Sequence, residues 1–350
     1  MKILDELKNL QDKGYVRLVQ HRTLPLILAN YTPVVQYSKL FGDYSLLRKT
    51  RGLIVDHDSS IVALPFEKFF NYEEHSLSEL PIKSAVTVTE KLDGSLLIVT
   101  KYRDQLVFAT RGSFYSDQAI RGANLFNKNY SSGCIEEGKT YLFELIGPSN
   151  RIVVSYPEDK IVFLGRRDSS NSPILIPESH PFEEVRSFNF DGNIFGKDLY
   201  ERLKGLNTSN EEGFVISTDD DWRCKVKFED YVKLHRIVTG VSTKTIWQYL
   251  MEEKDILILL EHTPDEFNAF VHDTIKELQG QFDTIANKVK ELAEVLKDFW
   301  IEDNKQVAYF LKDEESVVKH ATFAMLRGKD WKTGIWEQLQ PVYRQPFEEQ

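Results

Sequence analysis

The chain has 350 residues, 41% of them hydrophobic and 12% aromatic, which is enough for two cores and more than one usually takes. A net charge of −10 argues against a protein that coats nucleic acid non-specifically, and two cysteines, Cys134 and Cys224, exclude a disulfide framework and a four-thiolate zinc site. With no signal-like N-terminus and no apolar run near the roughly 20 residues of a membrane span, a soluble protein of a reducing, cytoplasm-like compartment is expected.

In chain order, residues from about 25 to 236 read as short strands bounded by Gly, Asp, Asn, Ser or Pro: LPLILANY, TRGLIVDHDSSIVALPF, AVTVTEKLDGSLLIVTKY, QLVFATRG, KTYLFELIG, RIVVSY, KIVFLGRR, GFVISTDD and RCKVKF. Two helical segments interrupt them, YSDQAIRGANLFNKNY and FGKDLYERLKGL. Within residues 86–102, Leu92-Asp93-Gly94-Ser95 breaks the alternation of two apolar strands and predicts a strand, a tight turn and a partner strand, with Lys91 at the entry to the turn. Beyond residue 240 the spacing changes. Apolar residues at 267, 270, 271, 275, 278, 282, 285, 289, 292, 296 and 299 form one helical stripe, and Pro264 and Asp265 suit its first turn. The segments TKTIWQYLMEEKDILILLEH and KQVAYFLKDEESVVKHATFAMLRGKDW also read as helices. Charge divides at the same place: residues 241–350 carry 13 Lys/Arg and 21 Asp/Glu, and residues 1–240 carry 31 and 33, so the front part has room for a local basic groove. The expected fold is α+β, with mixed antiparallel sheets and helices over residues 1–240 and an all-helical domain over 241–350.

A lysine beside a turn is ordinarily solvated. To act as a nucleophile it must lose a proton that free lysine, with a pKa of about 10.4, keeps at neutral pH, so burial or other cations should converge on it. Lys225 and Lys227 in CKVKF would share one face of a strand, with Cys224, Val226 and Phe228 on the other. That pair is either a solvated edge or a clamp around an anion such as phosphate. Glu144 stands inside an apolar strand, and Glu212 precedes Gly213 at a strand start. A carboxylate in such a place takes a metal, a ribose hydroxyl or a lysine, or forms a plain salt bridge. Arg51 and Lys68 flank strands near Phe69 and Phe70: either a cationic aromatic face for a nucleotide, or a core phenylalanine with a surface lysine. Arg111, Asn150 and Arg151 stand at further strand edges.

The ordered set Arg51-Gly, Glu-Lys68-Phe-Phe-Asn, Lys91-x-Asp-Gly-Ser, Arg111-Gly-Ser, Phe-Glu144, Asn150-Arg151-Ile-Val, Glu212-Gly-Phe-Val and Lys225-x-Lys227 closely resembles the nucleotidyltransferase domain of ATP-dependent RNA ligases of the T-even phage RNA ligase 1 type. That family lies within the superfamily of DNA ligases and mRNA capping enzymes, and the resemblance spans roughly residues 28–236. It implies that Lys91 is the adenylylated nucleophile, that Glu90, Asp93 and Gly94 belong to the nucleotide site, that Glu144 contacts the ribose or a metal-bound water, and that Glu212 binds Mg²⁺ or Mn²⁺. It implies further that Lys225 and Lys227 hold the α-phosphate of ATP, and that Arg51 and Lys68 grip the β- and γ-phosphates. Arg111 stands where phage relatives carry lysine, and Phe70 and Tyr31 match aromatic positions of the upstream module. The reaction implied joins an RNA 5′-phosphate to a 3′-hydroxyl through a lysyl-AMP and an adenylylated RNA. Helices follow the motif lysines where DNA ligases and capping enzymes append an OB-fold, which favours an RNA ligase whose C-terminal domain selects the substrate. A monomer acting in RNA or tRNA repair is expected, against two alternatives: a DNA ligase or capping-type relative, and an inactive binder of RNA ends.

Overall fold

The computed structural model describes residues 2–76, 80, 86–168, 172–188, 196–206, 208, 210–256, 259, 268–298 and 303–344. They form two compact units, Met1–His235 and Arg236–Gln350.

The first unit opens with helix α1 (Ile3–Asp12), then strands β1 (Val16–Gln20) and β2 (Leu26–Tyr31), helix α2 (Pro33–Tyr37), and strands β3 (Arg51–Asp56) and β4 (Ile61–Ala63). There follow β5 (Phe70–Asn71), β6 (Val86–Lys91), β7 (Ser95–Tyr102), β8 (Gln105–Ala109), helix α3 (Asp117–Asn129), β9 (Lys139–Ile146) and β10 (Lys160–Asp168). The unit continues through β11 (Ser187–Phe188), helix α4 (Gly196–Gly205), β12 (Gly213–Thr218) and β13 (Arg223–Lys227) to the start of helix α5 (Glu229–Thr239). Three sheets result, with strand orders β1-β2-β3-β4, β10-β9-β7-β8 and β11-β6-β12-β13-β5; every pairing is antiparallel except β13 with β5.

The apolar runs of the sequence follow from this layering. Leu26 and Leu28 of β2 pack with Ile54, Ile98 and Leu142 on one side, while Ile27, Ala29 and Tyr31 pack with Leu4, Leu7 and Leu10 of α1 on the other. A strand covered on both faces has no polar face to alternate with, and each buried Leu or Ile contributes about 1.5–3 kcal/mol. β7 repeats the arrangement: Leu96 and Ile98 face the first sheet, Leu97 and Val99 face Phe126 of α3.

Two local expectations are corrected. β6 and β7, read as paired across a tight turn, do not pair with each other; β6 pairs with β11 and β12, and β7 with β8 and β9. The chain passes from one sheet to the next through Leu92-Asp93-Gly94. Gly94 is demanded by a close approach, since a Cβ there would lie 2.2 Å from the Leu145 carbonyl oxygen and 2.9 Å from Ile146 Cγ2. RIVVSY, read as a strand, is irregular: the amides of Val153 and Val154 donate to the Asp93 carboxylate at 2.7 and 2.8 Å and not to a neighbouring strand. Helix α1 was not anticipated, although Leu4, Leu7 and Leu10 recur every three residues ahead of Gly14.

The second unit is helical, with α6 (Thr243–Met251), α7 (Asn268–Asp298), α8 (Asn304–Phe310), α9 (Ser316–Leu326) and α10 (Lys332–Gln338). Leu278, Phe282 and Val289 of the expected stripe, with Ala286 beside them, pack against Val318, Ala321, Ile335 and Trp336, with the Phe282 and Trp336 rings stacked at 4.5 Å. Pro264, Asp265 and positions 267 and 299 of that stripe lie outside the described residues. Both the α+β class and the helical character of the later segment are as expected. No helix among the described residues is long and apolar enough to cross a membrane.

Candidate active site

Strand register builds the site. Gly213 at the start of β12 pairs with Lys91 of β6 on one side and Lys227 of β13 on the other, so the preceding Glu212 falls between the two lysines. Lys91 Nζ donates to Glu212 Oε2 at 2.8 Å, and Lys227 Nζ stands 3.5 Å from Oε1. Gly213 has φ +144°, and a Cβ on it would come within 2.0 Å of the Val226 carbonyl oxygen, so only glycine fits. Glu212 is 4% exposed. A carboxylate so buried would be costly alone, and the two ammonium groups offset that cost.

β13 is no edge strand, because β12 and β5 flank it. Lys225 is buried, while Cys224, Val226 and Phe228 fill the core behind it, which rules out the solvated-edge reading. The parallel pairing of β5 sets Phe70 beside Cys224 and Asn71 beside Lys225. Lys68 is buried as well, so it is not a surface lysine; its Nζ lies 5.4 Å from the Phe70 ring centre and 6.0 Å from that of Phe41, and donates to Gln36 Oε1 at 3.4 Å. Edge-on contacts continue from Phe70 to Phe41 at 5.7 Å and from Phe41 to Tyr31 at 5.0 Å, and the Arg111 guanidinium covers Tyr31 at 5.7 Å. Lys68, Phe70, Tyr31 and Arg111 thus line one cationic-aromatic run. Glu90, on the alternate face of β6 from Lys91, instead meets Arg186 at 3.5 Å.

Glu144 of β9 keeps some accessible surface but is enclosed by protein, and burial pushes its carboxyl up to about 7. Lys91 and Arg51 pull the other way, while Glu212 and Asp93 add to the rise. Four surrounding charges therefore act on this one carboxyl. Between about pH 4.5 and 7 folded Glu144 holds a proton that the unfolded chain has released. Stability should accordingly fall as pH rises through that window and level off above it, by at most about 3 kcal/mol. In chelator-containing buffer, urea midpoints of Glu144→Gln should lack that decline; an unchanged profile would assign it to other groups.

The turn that carries Lys91 is clamped from below. The Asp93 carboxylate, 2% exposed, accepts from the amides of Val153 and Val154 and from the Tyr231 hydroxyl at 2.9 Å, while the Asp93 amide donates to the Tyr156 hydroxyl at 2.9 Å. Asn150 Nδ2 donates to the Leu145 carbonyl at 2.8 Å and to Ser95 Oγ at 3.1 Å. Asn150 and Asp93 were marked in the sequence, but Tyr156 and Arg48, whose guanidinium lies 5.6 Å from the Phe70 ring centre, were not singled out. Nothing local distinguishes them from packing residues; only the fold pairs them with the site. Removing the hydroxyl in Tyr231→Phe leaves Asp93 one donor short and should cost about 1–2 kcal/mol in urea unfolding. A change below about 0.5 kcal/mol would mean that water replaces the hydroxyl at no cost.

A family model described as RNA ligase matches residues 49–232, more than half of the chain and every motif from Arg51 to Lys227. The chain belongs to that RNA ligase family. Among curated relatives it is 25% identical over 300 residues to the "Putative bifunctional polynucleotide kinase/RNA ligase" of Autographa californica nuclear polyhedrosis virus, an alignment covering 76% of this chain and 42% of that protein. It is also 25% identical over 326 residues to the RNA ligase of Rhodothermus phage RM378, covering 71% of this chain and 72% of the relative. The chain thus spans less than half of the viral protein and most of the phage one. A solved archaeal ATP-dependent RNA ligase superposes with a TM-score of 0.46 at 15% identity, over 76% of this chain and 70% of that one.

Proposed function

We propose that the protein is an ATP-dependent RNA ligase that joins 5′-phosphate and 3′-hydroxyl ends, with Lys91 as the group that carries AMP. The observation behind this reading is the register that brings Lys91, Lys227 and Glu212 together, with the buried Lys225 two residues before Lys227 on the same strand. Lys91 leaves Glu212, gives a proton to water and attacks the α-phosphorus of ATP; its Nζ–P bond forms as the bond to pyrophosphate breaks. Lys225 and Lys227 face the oxygens on which charge grows, and Arg51, Lys68 and Arg111 suit the outer phosphates, with Phe70 and Tyr31 as their aromatic support. AMP then passes to the RNA 5′-phosphate, and the 3′-hydroxyl displaces it.

The acid groups fit a hard divalent cation such as Mg²⁺ or Mn²⁺. The Glu144 carboxyl makes no hydrogen bond among the described residues and Glu212 presents two oxygens, while no cluster of three or more His, Cys, Asp or Glu forms among them. Two carboxylates completed by substrate phosphates are a common Mg²⁺ arrangement, and the ion would supply charge neutralisation on the phosphoryl oxygens. The helical unit is assigned to substrate selection, with broken tRNA as one RNA in reach, for a monomer working in a reducing compartment.

Incubation with α-labelled ATP and Mg²⁺ should leave the protein labelled with AMP, and a 5′-phosphorylated RNA should then be sealed in preference to nicked DNA. Absence of label would end the proposal; sealing of DNA alone would transfer it to the DNA ligases.

A further inference from the structure

Within the helical unit, α8 carries two aromatic rings that its own packing does not use. Val307 and the following Leu311 bury against Leu296, whereas Tyr309 is 72% exposed and its neighbour Phe310 is 44% exposed. Single exposed rings are ordinary, but these two line one shallow groove together with Lys305, Gln306 and Lys312. Lys312 Nζ lies 4.7 Å from the centre of the Tyr309 ring, and Lys305 stands one helical turn before it on the same face. Among the described residues neither lysine has a carboxylate partner, although Lys254, Lys288, Lys332 and Arg344 of the same unit are each paired with a glutamate.

We propose that this groove binds single-stranded RNA, with a base stacked on Tyr309 and the flanking phosphates met by Lys305 and Lys312. The proposal rests on the ligase reading for the choice of RNA as the strand. An aromatic platform between unpaired cations is the chemistry that binds single strands without regard to sequence, since every base has a π-face and every linkage a charge.

The test uses the full chain without ATP and a fluorescein-labelled 12-nucleotide RNA bearing hydroxyls at both ends, followed by anisotropy over a series of salt concentrations. Tyr309→Ala should weaken binding about 5- to 100-fold with an unchanged thermal midpoint, and Tyr309→Phe should retain it. Lys305→Gln combined with Lys312→Gln should flatten the slope of log affinity against log salt by about 1.4. Wild-type affinity in Tyr309→Ala, or a change of sedimentation mass showing that Tyr309 joins two copies, overturns the proposal. Wild-type labelling with α-labelled ATP is measured beside it. A protein that does not label but loses RNA with Tyr309 contradicts the ligase reading alone, and one that labels but ignores Tyr309 contradicts the groove alone.

Discussion

Lys91→Ala is expected to abolish transfer of AMP from α-labelled ATP to the protein, a loss of at least about three orders of magnitude. Loss of activity alone would be ambiguous, because Lys91 also neutralises Glu212 at 2.8 Å. Lys91→Arg separates the two roles. Arginine keeps the positive charge and can pair with Glu212, but its guanidinium does not give up a proton in proteins and offers no lone pair. Lys91→Arg should therefore unfold in urea near the wild-type midpoint and still take no label. Sealing of an RNA that already carries AMP on its 5′-phosphate bypasses the nucleophile, so both variants should retain part of that reaction. Label appearing on Lys91→Ala would move the nucleophile elsewhere, and Lys227, 3.5 Å from Glu212, and the buried Lys225 would be the next residues to replace.

What the sequence disclosed, and what it hid, divides along the range of the interactions. β2, β7, β9 and α7 were legible because their apolar pattern has a local period: continuous where two faces are covered, three-and-four where one stripe is. Lys225 and Lys227 were legible as a pair by the same rule, but whether they faced water depended on β5 arriving alongside, and two residues of strand leave almost no trace in sequence. The Leu92-Asp93-Gly94 turn misled for a related reason. Asp-Gly between alternating segments is a hairpin signal, yet its glycine answers to the Leu145 carbonyl some fifty residues on, and its aspartate to two amides and a tyrosine farther still. RIVVSY has strand composition and forfeits strand pairing to satisfy that same aspartate. Motif order could mark Lys91, Glu144 and Glu212 as one group; that Glu212 touches Lys91 and Lys227 at once follows from the register of three strands and from no spacing within any one of them.

That three-strand register makes Glu212 the residue whose loss should be felt most widely. Glu212→Ala removes a carboxylate that is 4% exposed and leaves the Lys91 and Lys227 ammonium groups facing each other with no anion between. Breaking a buried pair costs about 3–5 kcal/mol, and because Lys91 keeps about a fifth of its side-chain surface in water the lower end is expected, about 3 kcal/mol. Glu212→Gln keeps the shape and one accepting oxygen, so its unfolding midpoint should fall between the other two. For AMP transfer the order differs: both variants lack the negative charge that organises the lysines and suits a divalent cation, and both should lose on the order of 100-fold or more. Urea unfolding and labelling on the same three proteins tell these contributions apart. If Glu212→Ala unfolds with the wild type while labelling collapses, Glu212 serves the reaction only, and the ion-paired arrangement contributes nothing to holding β6, β12 and β13 in register.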